Sequence, residues 1–185
     1  ALPSWTPLAN ELVLVFLAER NELLGPSISG NGLTFAQVID VNETQGQCGL
    51  TVWRSMGASP STGSISISNT SGFSYAIAIR VSGVDTSGTN GSGAIENTGS
   101  ASTGATDNKD ATVSITTTTD GARVVGCLSV HGPANVTLVD ETSVSINNSV
   151  GSGGNIVRAS MFYEDKSVAG SVTLLGSASL SSARE

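Results

Sequence analysis

There is too little basic charge in this sequence to hold a polyanion. Lys and Arg number 8 among 185 residues, against 15 Asp and Glu, giving a net charge of −7. A phosphate backbone is gripped by clustered cations, and an anionic membrane surface by polybasic patches. Neither pattern occurs, so nucleic acid is excluded as a partner. Long apolar runs are missing too: nothing approaches the ~18–20 residues that span a bilayer, and no membrane insertion is expected. Histidine occurs once, as His131, and cysteine twice. A nucleophile needs a base beside it, and a zinc site needs three or four close ligands. Neither Gly-x-Ser-x-Gly nor Ser-x-x-Lys occurs. The composition therefore predicts no enzyme, no catalytic residue, no metal site and no cofactor. With aromatics at 4%, only Trp5, Trp53 and Tyr163 remain to stack on a sugar.

What the chain does contain is short apolar runs of strand length, separated by Gly, Ser, Thr and Asn. Glu11–Ala18 (ELVLVFLA), Ser74–Val84, Ala122–Val130 and Asn155–Tyr163 are the most legible. Alternation with period two, punctuated by turn residues, yields roughly ten strands. The first run is continuously apolar, as in a strand buried on both faces. In Gly63–Asn69 (GSISISN), Ile65 and Ile67 point inward and the serines outward. Ser74–Val84 sets Tyr75, Ile77, Ile79 and Val81 on one face. The small Ala76 and Ala78 lie on the other, where a further layer can pack closely. Asp120-Gly121 is a hairpin signal. No helical period is convincing. The expectation is a single all-β domain over residues 1–185: one antiparallel β-sandwich, jelly-roll-like.

Three regions stand outside this rhythm. Residues 85–110 form a long Gly/Ser/Thr loop, of a length usually reserved for function. Within it Asp85, Ser87, Thr89 and Glu96 fall at the spacing of a calcium loop, but Asn90 occupies the glycine position and no helices flank it. A plain loop is the better reading. The other two regions are the ends, approximately 1–10 and 176–185, which read as extended arms. Leu2, Trp5, Leu8 and Leu180 are their apolar residues, suited to crossing onto a neighbouring subunit.

Cys48 and Cys127 lie in or beside predicted strands. They fit either an inter-sheet disulfide or two buried thiols. The adjacent carboxylates Asp140-Glu141 and Glu164-Asp165 point to opposite strand faces and make no acid–base pair. Five Asn-x-Ser/Thr sequons occur, at Asn42, Asn69, Asn90, Asn135 and Asn147. The chain starts at Ala1, which fits a trimmed initiator Met or a cleaved leader and leaves the compartment open.

Three segments, Gly30–Phe35 (GNGLTF), Trp53–Pro60 (WRSMGASP) and Gly83–Ile95 (GVDTSGTNGSGAI), carry a resemblance. It is to a diffuse group of β-sandwich modules found in tailed-phage virion proteins and bacterial surface proteins. The resemblance covers most of the chain and implies a sandwich without a shared catalytic motif. Such modules end in a further apolar strand that is not evident here, implying an open edge for a neighbour's arm. The function it implies is structural: a capsid decoration or accessory protein in a virion. Its partners would be copies of itself and a major capsid or other virion protein. Two alternatives stay open. One is an extracellular filament or surface-layer subunit joined by donated strands; the other is a carbohydrate-binding adhesin module.

Overall fold

The computed structural model describes residues 1–20, 25–42, 48–70, 73–102, 110–131, 134–139, 146–150 and 157–180. Its strands are β1 (Leu12–Glu19), β2 (Ser27–Gly30), β3 (Ala36–Asn42), β4 (Gly49–Ser55), β5 (Ile65–Ser68) and β6 (Ser74–Val81). The second half adds β7 (Asp110–Thr116), β8 (Ala122–His131), β9 (Ala134–Val139), β10 (Ile146–Val150), β11 (Val157–Lys166) and β12 (Ser171–Leu180). The ladders between them are antiparallel and form sheets of order β3-β4-β1-β6, β10-β11-β8, β7-β12-β9 and β2-β5. The fold is all-β and sandwich-like, as the alternation predicts.

Its centre is β1, every residue of which is buried. Leu12, Leu14, Phe16 and Ala18, with Val52 and Ile77, face Val157, Ala159 and Met161 of β11. Val13, Val15 and Leu17, with Trp53, face Ile65 and its neighbours Ile28, Leu33, Phe35 and Ile67. A strand covered on both sides has no reason to alternate, which explains the unbroken ELVLVFLA run. Each such side chain contributes about 1.5–3 kcal/mol when fully buried. Ala76 and Ala78 lie against the second cluster, where their small size lets the β2-β5 layer approach.

β2 is absent from the sequence reading because SISG is short and polar. Its pairing depends on Gly30, at φ 140, where a Cβ would collide with the Ser64 carbonyl oxygen.

The N-terminal segment is not a free arm. Leu2 N–H donates to Ile65 O at 2.8 Å, while Trp5 and Gly63 exchange bonds of 2.9 and 3.1 Å. Asn31 Nδ2 holds Trp5 O at 2.7 Å, and Arg80 lies 5.6 Å over the Trp5 ring. Leu2 and Trp5 thus complete this chain's own core, because the β5 edge beside them offers both backbone groups and an apolar face. Of Leu2, Trp5 and Leu8, only Leu8 is exposed, at 64%.

The C-terminal expectation is corrected likewise. Residues 176–180 continue β12, which is the central strand between β7 and β9, and Leu180 pairs with Ala134. Small residues such as Gly176, Ser177 and Ala178 obscured a strand whose stability comes from two ladders. Residues 181–185 lie outside the described residues.

Asp120-Gly121 turns the chain without making a hairpin. β7 pairs with β12 and β8 with β11, so residues 110–131 and 157–180 run antiparallel as one ribbon bent at a corner. Thr117 and Gly170 exchange bonds of 2.9 and 3.1 Å at that corner, and Gly121 N–H reaches Lys166 O at 2.8 Å. The first part of the predicted loop is built rather than slack. Asp85 caps Ser87 N–H at 2.7 Å, and Val84, Ala94 and Ile95 pack on the main core. Residues 103–109 lie outside the described residues.

Candidate functional site at the end of the sandwich

Among the described residues, a collection of chemistry-bearing side chains lies where β1 and β8 end and β4 begins. The ladders Glu19↔Gly49 and Val157↔His131 set these ends. The next residues are Arg20 after β1 and Cys48 before β4. From β8 come Cys127, Ser129 and His131, which share one face because they are two residues apart. That face looks toward the β3-β4-β1-β6 sheet, since Val125 and Cys127 pack on its core.

Two contacts tie the sheets here. Arg20 Nε donates to His131 Nε2 at 2.8 Å. The Nε2 nitrogen of the imidazole is thereby used as an acceptor. Cys48 Sγ and Ser129 Oγ lie 3.0 Å apart. Cys127 is also a thiol, and burial first, then the nearby Cys48, push it up to about 12. Only a thiolate is a strong nucleophile, so at neutral pH the raised Cys127 thiol reacts slowly with dissolved partners. Through these contacts the arrangement ties the two sheets together.

The other expected residues are dispersed. The Glu164-Asp165 doublet splits across the strand as predicted: Lys166 Nζ lies 3.3 Å from Glu164, while Arg123 grips both oxygens of Asp165 at 2.5 and 2.9 Å. Hydrogen bonding from Arg123 holds the Asp165 carboxyl below its ordinary value. Asp140-Glu141 lies outside the described residues. The calcium-loop oxygens do not converge. The Asp85 carboxylate bonds to Ser87, while Glu96 accepts from Thr118 N–H at 2.9 Å, across on the β7–β8 corner. Those bonds lower both carboxyls, with Ser87 the leading cause for Asp85 and Thr119 for Glu96. Among the described residues, no group of three His, Cys, Asp or Glu could hold a metal ion.

The sugar-platform candidates fare no better. Trp53 is 3% exposed inside the core, and Trp5 is covered by Arg80. Tyr163 has Arg123 stacked 4.5 Å from its ring centre. A cleft of about 920 Å³ opens between β1, β4, β7, β8 and residues 93–101. Leu14, Val52, Ile95, Ile115 and Phe162 make its walls apolar, and Arg123 and Asp165 at its rim engage each other. No helix among the described residues is long and apolar enough to cross a membrane.

Arg20 and Ser129 were not singled out from the sequence. A signal was present in β8, where Cys127, Ser129 and His131 place three polar atoms on the inward face of an apolar strand. Comparison with family models, curated proteins and solved structures gives no match.

Proposed function

We propose that the chain is a non-enzymatic structural subunit acting by self-association, a decoration or accessory protein of a tailed-phage virion. One observation carries the assembly part: among the described residues, β9 (ANVTLV) and β10 (INNSV) stand at sheet edges, with no charged residue and no proline. Monomeric β-proteins blunt their edges with charge, proline or bulges, because unpaired backbone groups recruit other strands. β3 follows that rule, with Asp40 and a bulge between Gln37 and Ile39. An edge left unblunted suits a strand that gains its second neighbour on assembly.

The outer faces support the same reading. Thr112, Ser114, Thr116, Ser171 and Thr173 present hydroxyls on the β7-β12 ladder, and Ser27 and Ser68 meet at 2.6 Å on β2-β5. These flat, neutral surfaces lack the charge that keeps freely diffusing proteins apart. The virion assignment rests on the GNGLTF, WRSMGASP and GVDTSG segments, and a capsid or other virion protein would be the second partner. The same edges also favour the alternative, an extracellular filament of identical subunits.

Electron microscopy of native material, with this chain located in the density, tests both. Subunits at symmetric positions on a shell or tail are the expected result. A continuous helical polymer of this subunit alone would replace the virion reading with the filament. Dispersed monomers at high concentration, absent from any particle, would overturn self-association itself.

A further inference from the structure

The cysteines admit a second use of the cluster, independent of how the subunit assembles. We propose that Cys48 and Cys127 form an oxidation-dependent staple between the β3-β4-β1-β6 and β10-β11-β8 sheets, closed in two steps with Cys48 reacting first. The geometry is specific. Cys48 Sγ already lies against β8, at 3.0 Å from Ser129 Oγ. Cys127 is two residues from Ser129 on the same face, about 6.6 Å along the strand at ~3.3 Å per residue. The staple requires side-chain rotation that brings the two Sγ atoms together with both ladders kept paired. The two cysteines come from different sheets, so the bond would cross the central core layer rather than link neighbours on one strand pair.

The order follows from their environments. Cys127 packs against the main core cluster, of which Cys48 is not a part, and burial raises its thiol, so the first attack belongs to Cys48. The oxidant is a low-molecular-weight disulfide. The Cys48 thiolate attacks one of its sulfurs, forming a mixed disulfide and expelling one small thiolate, which takes up the proton Cys48 lost. Cys127 then gives up its proton and attacks Cys48 Sγ, expelling the second small thiol. Two protein S–H groups become one S–S bond, and one small disulfide becomes two thiols.

The test exposes the reduced, folded protein to oxidised glutathione, quenches with acid at intervals, and maps unreduced peptides by mass spectrometry. A Cys48–Cys127 cross-linked peptide is expected, preceded by a glutathione adduct on Cys48. Cys127→Ser should trap that adduct, and Cys48→Ser should leave Cys127 unmodified over the same interval. Oxidation of the wild type should raise its urea midpoint. Both thiols still alkylatable after prolonged exposure would overturn the proposal. So would an adduct on Cys127 in Cys48→Ser, or a cross-link that joins two chains.

Discussion

Replacing Asn31 by glycine asks whether the first residues belong to this subunit's own sandwich. Asn31 is 3% exposed, adopts φ 52, and aims Nδ2 at Trp5 O (2.7 Å), Gly63 O (3.2 Å) and Ser61 O (3.4 Å). Two protons serve three carbonyls, so two good bonds and a weak share are at stake. Glycine accepts the left-handed backbone without strain and deletes only the amide. Each lost bond contributes about 0.5–1.5 kcal/mol net, and the Trp5 and Gly63 carbonyls keep their backbone partners. With glycine's extra freedom in the unfolded chain, the loss should total about 2–3 kcal/mol. Asn31→Asp keeps the shape but turns an acceptor toward three acceptors in a buried place, and should cost about 3–5 kcal/mol. Urea unfolding reads the loss. Hydrogen exchange at the Leu2 and Trp5 amides, which donate to Ile65 O and Gly63 O, localises it. At one decade per 1.4 kcal/mol, exchange there should accelerate by about 30- to 100-fold in Asn31→Gly. A loss under about 0.5 kcal/mol, with both amides exchanging like free peptide in the wild type, would refute the docked segment and restore the arm.

Two further outcomes follow from the second half of the chain. The Cys127 thiol is raised from 9.0 to about 12 on folding, so the stability it contributes is complete below pH ~9 and is lost as pH climbs toward ~12. In reduced protein, the unfolding free energy of wild type relative to Cys127→Ala should fall by about 2 kcal/mol between pH ~9 and ~10.5, at up to 1.36 kcal/mol per pH unit. A difference independent of pH would mean that the thiol is hydrated. Gly126 faces Phe162 across the ladder, and a Cβ there would fall within the Phe162 ring, which is 6% exposed and would have to leave its place on the core. Gly126→Ala should therefore cost about 2–4 kcal/mol. Gly121→Ala, at φ 78 with open space around it, should cost only about 1 kcal/mol; equal midpoints for the two variants would refute the packing argument.

The parts of the fold legible in the sequence were those where one residue type answers one physical demand. Continuous burial of β1 demanded an apolar run, and the two alanines of β6 announced a close layer. Tertiary context decided the rest. The tail of β12 is held by ladders to β7 and β9 although Gly176 and the small residues beside it carry little strand preference. Asp120-Gly121 specifies a tight reversal, but not whether the flanking strands pair with each other or with a distant partner. Trp5 was recognised as a residue needing a buried place. Sequence alone could not say whether that place lay in its own chain. The site was hidden for a similar reason: Arg20, Cys48 and His131 are far apart in the chain, and antiparallel register alone brings them to one end.

Where the ends go changes how assembly would work. Strand donation needs a free arm and an open edge. Leu2 and Trp5 are committed to β5 and the residues before it, and residues 176–180 to β12, so these stretches are engaged, while among the described residues the uncharged edges of β9 and β10 remain. On the assembly reading, copies would then meet edge to edge. Antiparallel pairing of one edge with its own counterpart is two-fold symmetric and closes at a dimer. A subunit using only β9, or only β10, would need a shell protein to array it, as a decoration protein does. A subunit using both has two such axes, and successive contacts generate an open polymer. Charging one edge at a time therefore separates the two architectures: a filament is cut to dimers by a lysine in either strand, whereas a decoration dimer is lost through one strand and indifferent to the other.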